Sequence, residues 1–134
     1  MKVKVDIKRA YEAPSGHDGF RILVDRMWPR GVKKDDLPFD LWCKQLAPSP
    51  ALRKWFGHKP ERWERFRAEY QKELHTAEQA QRLREVLKHA DSSHITLLYG
   101  ARDTEHNHAV ILADEITRTA RPLRKPADKA AVSA

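Results

Sequence analysis

Apolar and polar residues divide the chain into short segments of distinct period. In "KVKVDIK", Val3, Val5 and Ile7 alternate with Lys4 and Asp6, the period-two pattern of a strand with one buried face. The loop-forming stretch "EAPSGHDG" separates it from "FRILVD", where Ile22, Leu23 and Val24 run together as a more deeply buried strand. "HITLLYGA" is apolar on both faces and predicts a central strand near the other end of the chain. Helical spacing fills the interval. "DDLPFDLWCKQLAP" places Leu37, Leu41, Trp42 and Leu46 on one helical stripe, and "SPALRKWFG" carries Ser49 as an N-cap, Pro50 at the first helical position and Gly57 as a terminator. "KPERWERFRAEYQKEL" sets Trp63, Phe66, Tyr70 and Leu74 along one stripe. The capping box "TAEQ" opens a further helix with Ala80, Leu83 and Leu87 inward. "HNHAVILADEITRTA" closes the series with Ala109, Leu112, Ala113 and Ile116 on one face.

Strand, strand, several helices, strand, helix is an order that lets "FRILVD" and "HITLLYGA" lie parallel through a right-handed crossover. The expected fold is a small three-layer α/β domain with a mainly parallel sheet flanked by helices. It is expected to occupy residues 1–120, followed by a basic, flexible C-terminal tail over 121–134. The length of 134 residues suits one such domain. The single cysteine, Cys43, permits no disulfide within the chain, which fits a reducing cytoplasm. Nothing approaches the roughly 18 apolar residues of a membrane helix, so no membrane partner is expected. The net charge of +7 favours an anionic partner, either a small molecule or nucleic acid.

In open parallel sheets, ligands collect beyond the carboxyl ends of the strands. Two segments leave strands there. "DRMWPRG" brings Arg26 and Arg30, whose guanidinium forks suit phosphate or carboxylate, and Trp28, a stacking face for a ring or else a lid on the core. "ARDTEHNH" brings Arg102 as a further anion ligand. In the same segment Asp103 or Thr104 is placed to cap the last helix, with Glu105 in its first turn. His106 and His108, two apart, diverge by about 200 degrees on a helix, so one metal ion is poorly served by both and no metal site is expected. Extending the last helix backwards turns Glu105 and His106 toward the sheet and leaves His108 aside. His106, with Asp103 or Glu105, is the acid–base candidate, and a structural histidine is the alternative. The stretch "LRKWFGHKPERWERFR" mixes Arg53, Lys54, Arg62, Arg65 and Arg67 with aromatics as a nucleic-acid surface can, but with Glu61 and Glu64 interspersed it reads more simply as a solvated face. No P-loop, GxGxxG, GxSxG or HExxH occurs, so no cofactor is named by motif.

The phrases "DRMWPRG", "LAPS", "LRKWFGH" and "ARDTEHNHA", set within residues 20–112, resemble the YeaO-like branch of the family called domain of unknown function 488. The resemblance implies a three-layered α/β fold and places Arg26, Trp28, Pro29, Arg30, Gly31, Trp55, Phe56, His58, Arg102, Asp103, His106, Asn107 and His108 on recurring phrases. It implies no established biochemical role. Other branches carry cysteines near the last strand, where this chain has Tyr99 and Gly100. Two functions fit these residues. One is a small enzyme with Arg26, Trp28, Arg30, Arg102, His108 and His58 around an anionic ligand and His106, Asp103 and Glu105 in acid–base roles. The other is a non-catalytic nucleic-acid-binding module.

Overall fold

The computed structural model describes the backbone of residues 3–124 and the side chains of residues 3–120. Its sheet holds β1 (Lys4–Arg9), β2 (Phe20–Leu23), β3 (Leu41–Trp42) and β4 (His94–Tyr99) in the order β1-β4-β2-β3, and every adjacent pair is parallel. The helices are α1 (Pro50–Phe56), α2 (Trp63–Leu74), α3 (Ala77–Ala90) and α4 (His108–Arg124). The two segments that are apolar on both faces, β2 and β4, are neighbours near the sheet's centre, with Ile22 opposite Leu97 and Leu23 opposite Leu98. The alternating segment, β1, forms one edge beside β4. The small α/β domain with a parallel sheet read from the sequence is the fold observed.

Strand alternation sorts the core into two. Ile22, Ile95, Leu97 and Tyr99 point to one face, where all four helices cover them with residues such as Phe56, Phe66, Leu83 and Ile116. Leu23 and Leu98 point to the other face, onto Ala10 and Leu37 with Trp28, Val32 and Trp42 packed around them. The layer opposite the helices is therefore built from the connections that follow β1 and β2. Burying each of these large side chains contributes about 1.5–3 kcal/mol, so both faces matter to stability.

The segment 35–48 differs from its expected helix. Short 3-10 turns at Lys34–Asp36 and Lys44–Leu46 flank the two-residue strand β3. Pro38 bars a continuous helix, and the supposed stripe is split between faces, with Leu37 in the second core and Leu46 in the first. Helices α1 and α3 start where the sequence sets them. Ser49 Oγ accepts from the Leu52 amide at 3.2 Å, and Gly57 closes α1 at φ 54°. Thr76 Oγ1 accepts from the Gln79 amide at 3.3 Å, while the Gln79 side chain donates to the Gln45 carbonyl instead of completing the box.

One glycine is required by proximity. Gly19 has φ 67°, and a Cβ there would stand 2.3 Å from the His94 carbonyl oxygen at the start of β4. At the far end α4 continues to Arg124, past the expected start of the tail. The remainder of that tail, 125–134, lies outside the described residues.

Candidate functional site

β2 and β4 end side by side, and the residues that follow them are locked together. The Val24 amide donates to the Leu98 carbonyl at 3.1 Å. Asp25 then reaches across, its Oδ2 accepting from the Gly100 amide at 2.8 Å. Gly100 permits that approach, because a Cβ would lie 3.0 Å from the same oxygen. The start of β1's outgoing loop braces both segments. Arg9 Nε donates to the Ala101 carbonyl at 2.9 Å, and Tyr11 Oη donates to the Arg30 carbonyl at 2.9 Å.

His108, the first residue of α4, packs into this junction. Its Nε2 is 3.0 Å from the Val24 carbonyl oxygen and 3.5 Å from Asp25 Oδ1. A carbonyl only accepts, so Nε2 carries the hydrogen. Burial lowers the His108 pKa below its ordinary value. Asp25 and the Val24 carbonyl oppose that shift, while the charges of Arg53 and His58 reinforce it. The ring is accordingly neutral near pH 7.

This corrects the orientation expected of His108. His108 was expected to point aside and instead sits at the strand ends, whereas His106 lies further out, edge-on to the Trp63 ring at 5.3 Å. The cause is where α4 begins. Asn107 is its cap, Oδ1 accepting from the Val110 amide at 3.2 Å while Nδ2 donates to the Asp103 carbonyl at 2.9 Å. Asp103 closes a separate turn, its Oδ1 accepting from the amides of Glu105 and His106, each at 2.9 Å. Its other oxygen is 2.9 Å from His106 Nδ1. Those two amides, helped by His106, hold the Asp103 carboxyl below the usual range.

Two adjoining cavities open at this edge. The larger, about 400 Å³, has Pro48, Pro50, Phe56 and Phe66 among its walls, with Lys54 and His106 beside them. The smaller, about 260 Å³, is lined by Tyr11, Asp25, Arg26, Trp28 and Arg30. Arg53, His58, Ala101 and His108 line both and so stand between them. Arg26, Trp28 and Arg30 are thus gathered in the smaller cavity, His106 in the larger, and His58 and His108 at the junction. Arg102, Asp103 and Glu105 line neither.

Several of these side chains also have fixed structural partners. Arg26 Nη2 donates to the Pro48 carbonyl at 3.1 Å, tying β2's outgoing segment to the turn before α1, while its Nε is buried without a partner. Trp28 Nε1 donates to the Val32 carbonyl at 2.7 Å, and its ring packs edge-on to Trp42 at 5.6 Å. Trp28 therefore closes the second core and walls the cavity at once. His58 holds a left-handed backbone at φ 58°, directly after left-handed Gly57.

Sequence reasoning missed Arg53, Lys54 and Tyr11 as cavity residues. Arg53 sat in a stretch read as solvated, and nothing local distinguishes it, because its role depends on how α1 docks. That docking is set by Glu73 of α2, which accepts from the Ser49 amide at 2.9 Å and from Ser49 Oγ at 2.6 Å. Among the described residues no three or more His, Cys, Asp or Glu side chains group as a metal site, and no helix is long and apolar enough to cross a membrane.

Residues 4–133 match the family model described as the inactive DUF488-N3 subclade. The chain is 44% identical over 113 residues to the uncharacterised protein YeaO of Escherichia coli K12, covering 84% of this chain and 96% of that one. It is 41% identical over 112 residues to an uncharacterised protein of Mycobacterium tuberculosis H37Rv, covering 84% and 92%. No solved structure matches it. The chain belongs to the DUF488 family, in its YeaO-like branch.

Proposed function

We propose that the protein binds a small anionic ligand, bearing phosphate or carboxylate, in the paired cavities at the carboxyl edge of the sheet, and holds it without turnover. The observation that carries this reading is the charge around the cavities. Arg26, Arg30, Arg53 and Lys54 line them, and Asp25 is their one carboxylate among the described residues. Asp25 already accepts from the Gly100 amide and faces His108, so it leaves the cationic excess uncompensated. Guanidinium groups that converge on a concave site recognise oxyanions through charge-assisted hydrogen bonds. The description of the subclade as inactive supports binding without chemistry.

A second reading keeps acid–base catalysis. It rests on the 2.9 Å contact of His106 with Asp103, with His106 lining the larger cavity. Glu105, exposed and outside both linings, has no part in this version.

The test is calorimetric titration of the purified protein with inorganic phosphate, pyrophosphate and a short single-stranded oligonucleotide at two salt concentrations, with product analysis after long incubation. Saturable binding of the small anions with no product supports the proposal. A preference for the oligonucleotide with steep salt dependence supports a nucleic-acid module instead, and product formation lost in His106→Asn supports the catalytic reading.

A further inference from the structure

The two cavities differ in chemistry, and the difference specifies the ligand more closely. Resting on the anion-binding reading above, we infer that the ligand is bipartite, an aromatic ring linked to a phosphate as a nucleobase is through the sugar of a mononucleotide. Its ring occupies the larger cavity and its phosphate the smaller. The larger cavity, about 400 Å³, falls within the range of small-molecule sites and offers Pro48, Pro50, Phe56 and Phe66 as apolar walls. The smaller, about 260 Å³, is below that range and offers Arg26 and Arg30, the setting for a compact oxyanion. An inorganic anion alone leaves the apolar walls of the larger cavity uncovered, and an uncharged ligand alone leaves the arginines uncompensated.

The junction supports a ligand that spans it. Arg53, His58, Ala101 and His108 line both cavities, and the Ala101 side chain is a single methyl group, the smallest barrier a side chain other than glycine can place there. His58 adds an independent observation. It holds φ 58°, a conformation that side chains other than glycine rarely adopt, immediately after Gly57. Its ring is exposed and lies 6.2 Å from the Phe56 ring, so packing does not explain why a histidine stands there. Backbone outliers of this kind gather at ligand sites, where the side chain's position is what matters. The His58 imidazole is placed to contact the bridging part of such a ligand, between its ring and its phosphate.

The experiment compares inorganic phosphate, adenosine and the four 5′-mononucleotides as calorimetric titrants of the full chain, its His58→Gly variant and its Ala101→Leu variant. Expected is a mononucleotide bound at least ten-fold more tightly than inorganic phosphate and than adenosine. His58→Gly relieves the backbone, so it keeps or raises the thermal midpoint while weakening the mononucleotide at least five-fold. Ala101→Leu abolishes the mononucleotide's advantage over phosphate by narrowing the junction. Equal affinities for phosphate and every mononucleotide overturn the bipartite ligand while leaving anion binding intact. Adenosine binding as tightly as the nucleotides removes the phosphate from the proposal. Binding of none of the titrants overturns both this inference and the anion reading on which it rests.

Discussion

His108 Nε2 stands 3.5 Å from Asp25 Oδ1 and 3.0 Å from the Val24 carbonyl, joining the first turn of α4 to the end of β2. Burial holds this imidazole neutral and lowers its pKa below the ordinary histidine value. In the unfolded chain the same ring protonates as pH falls through about 6.5. Between there and the lower folded pKa, the unfolded state binds more protons, so stability is full above pH 6.5 and falls as pH drops below it. His108→Gln keeps an amide donor toward Val24 and removes the titration. Urea unfolding between pH 8 and 5 should show a decline in the native protein that is flattened in the variant. Equal slopes would mean that His108 is not held neutral. Asp18 and Asp103 have lowered pKa values, so their contribution is lost only at more acidic pH, below the usual carboxylate range, and does not confuse the comparison.

The start of α4 predicts a contrast between two candidate caps. Asn107→Ala removes the bond to the Val110 amide and should cost about 1 kcal/mol, within the range for lost helix caps. Thr104→Ala, at a position the sequence also offers as a cap, should change stability by less than about 0.5 kcal/mol, as exposed substitutions do. Chemical denaturation of the two variants decides it, and the reverse order would move the helix start back to the earlier turn.

Glycines with similar backbones should respond differently to alanine. At Gly19 the added methyl meets the His94 carbonyl oxygen at 2.3 Å, and φ is 67°. Strain and overpacking together should cost roughly 2 kcal/mol or more. At Gly31, φ is 78° but nothing lies within 4 Å, so only the conformational cost of about 1 kcal/mol applies. Thermal unfolding of both variants measures the difference, and equal losses would contradict the close passage of residue 19 against β4.

Much of the fold was legible because it rests on local pattern. The central strands showed apolar residues on both faces, and the Trp63, Phe66, Tyr70 and Leu74 stripe is buried as its spacing requires. What escaped depends on contacts far apart in sequence. Leu37 and Leu46 share a helical spacing, but Pro38 and the two faces of the sheet separate them. Asp103 and Asn107 are both acceptable caps by residue type, but it is Asn107 that accepts from the Val110 amide, and the helix start this sets brings His108 to the strand ends. Arg53 reaches the cavities only because Glu73 seats α1.

The arginines carry a prediction that separates sequence proximity from placement. Both Arg53 and Arg102 are exposed, but Arg53 lines both cavities and Arg102 lines neither. Arg53→Ala should weaken phosphate binding about ten-fold or more, from the loss of a charge-assisted hydrogen bond worth roughly 1.5–3 kcal/mol. Arg102→Ala should change it less than about two-fold, as expected for a screened surface charge. Calorimetry on the two variants checks the pair, and a larger effect at Arg102 would move the anion outside the cavities.

The most direct measurement of the central claim is a titration of isotope-labelled protein with inorganic pyrophosphate, followed by amide chemical shifts. If the anion binds between the ends of β2 and β4, saturable shifts will concentrate in residues 25–31, 53–58 and 100–108 and will disappear in Arg53→Ala. Shifts centred on the outer faces of α2 and α3, or no saturable shift at millimolar ligand, would contradict it.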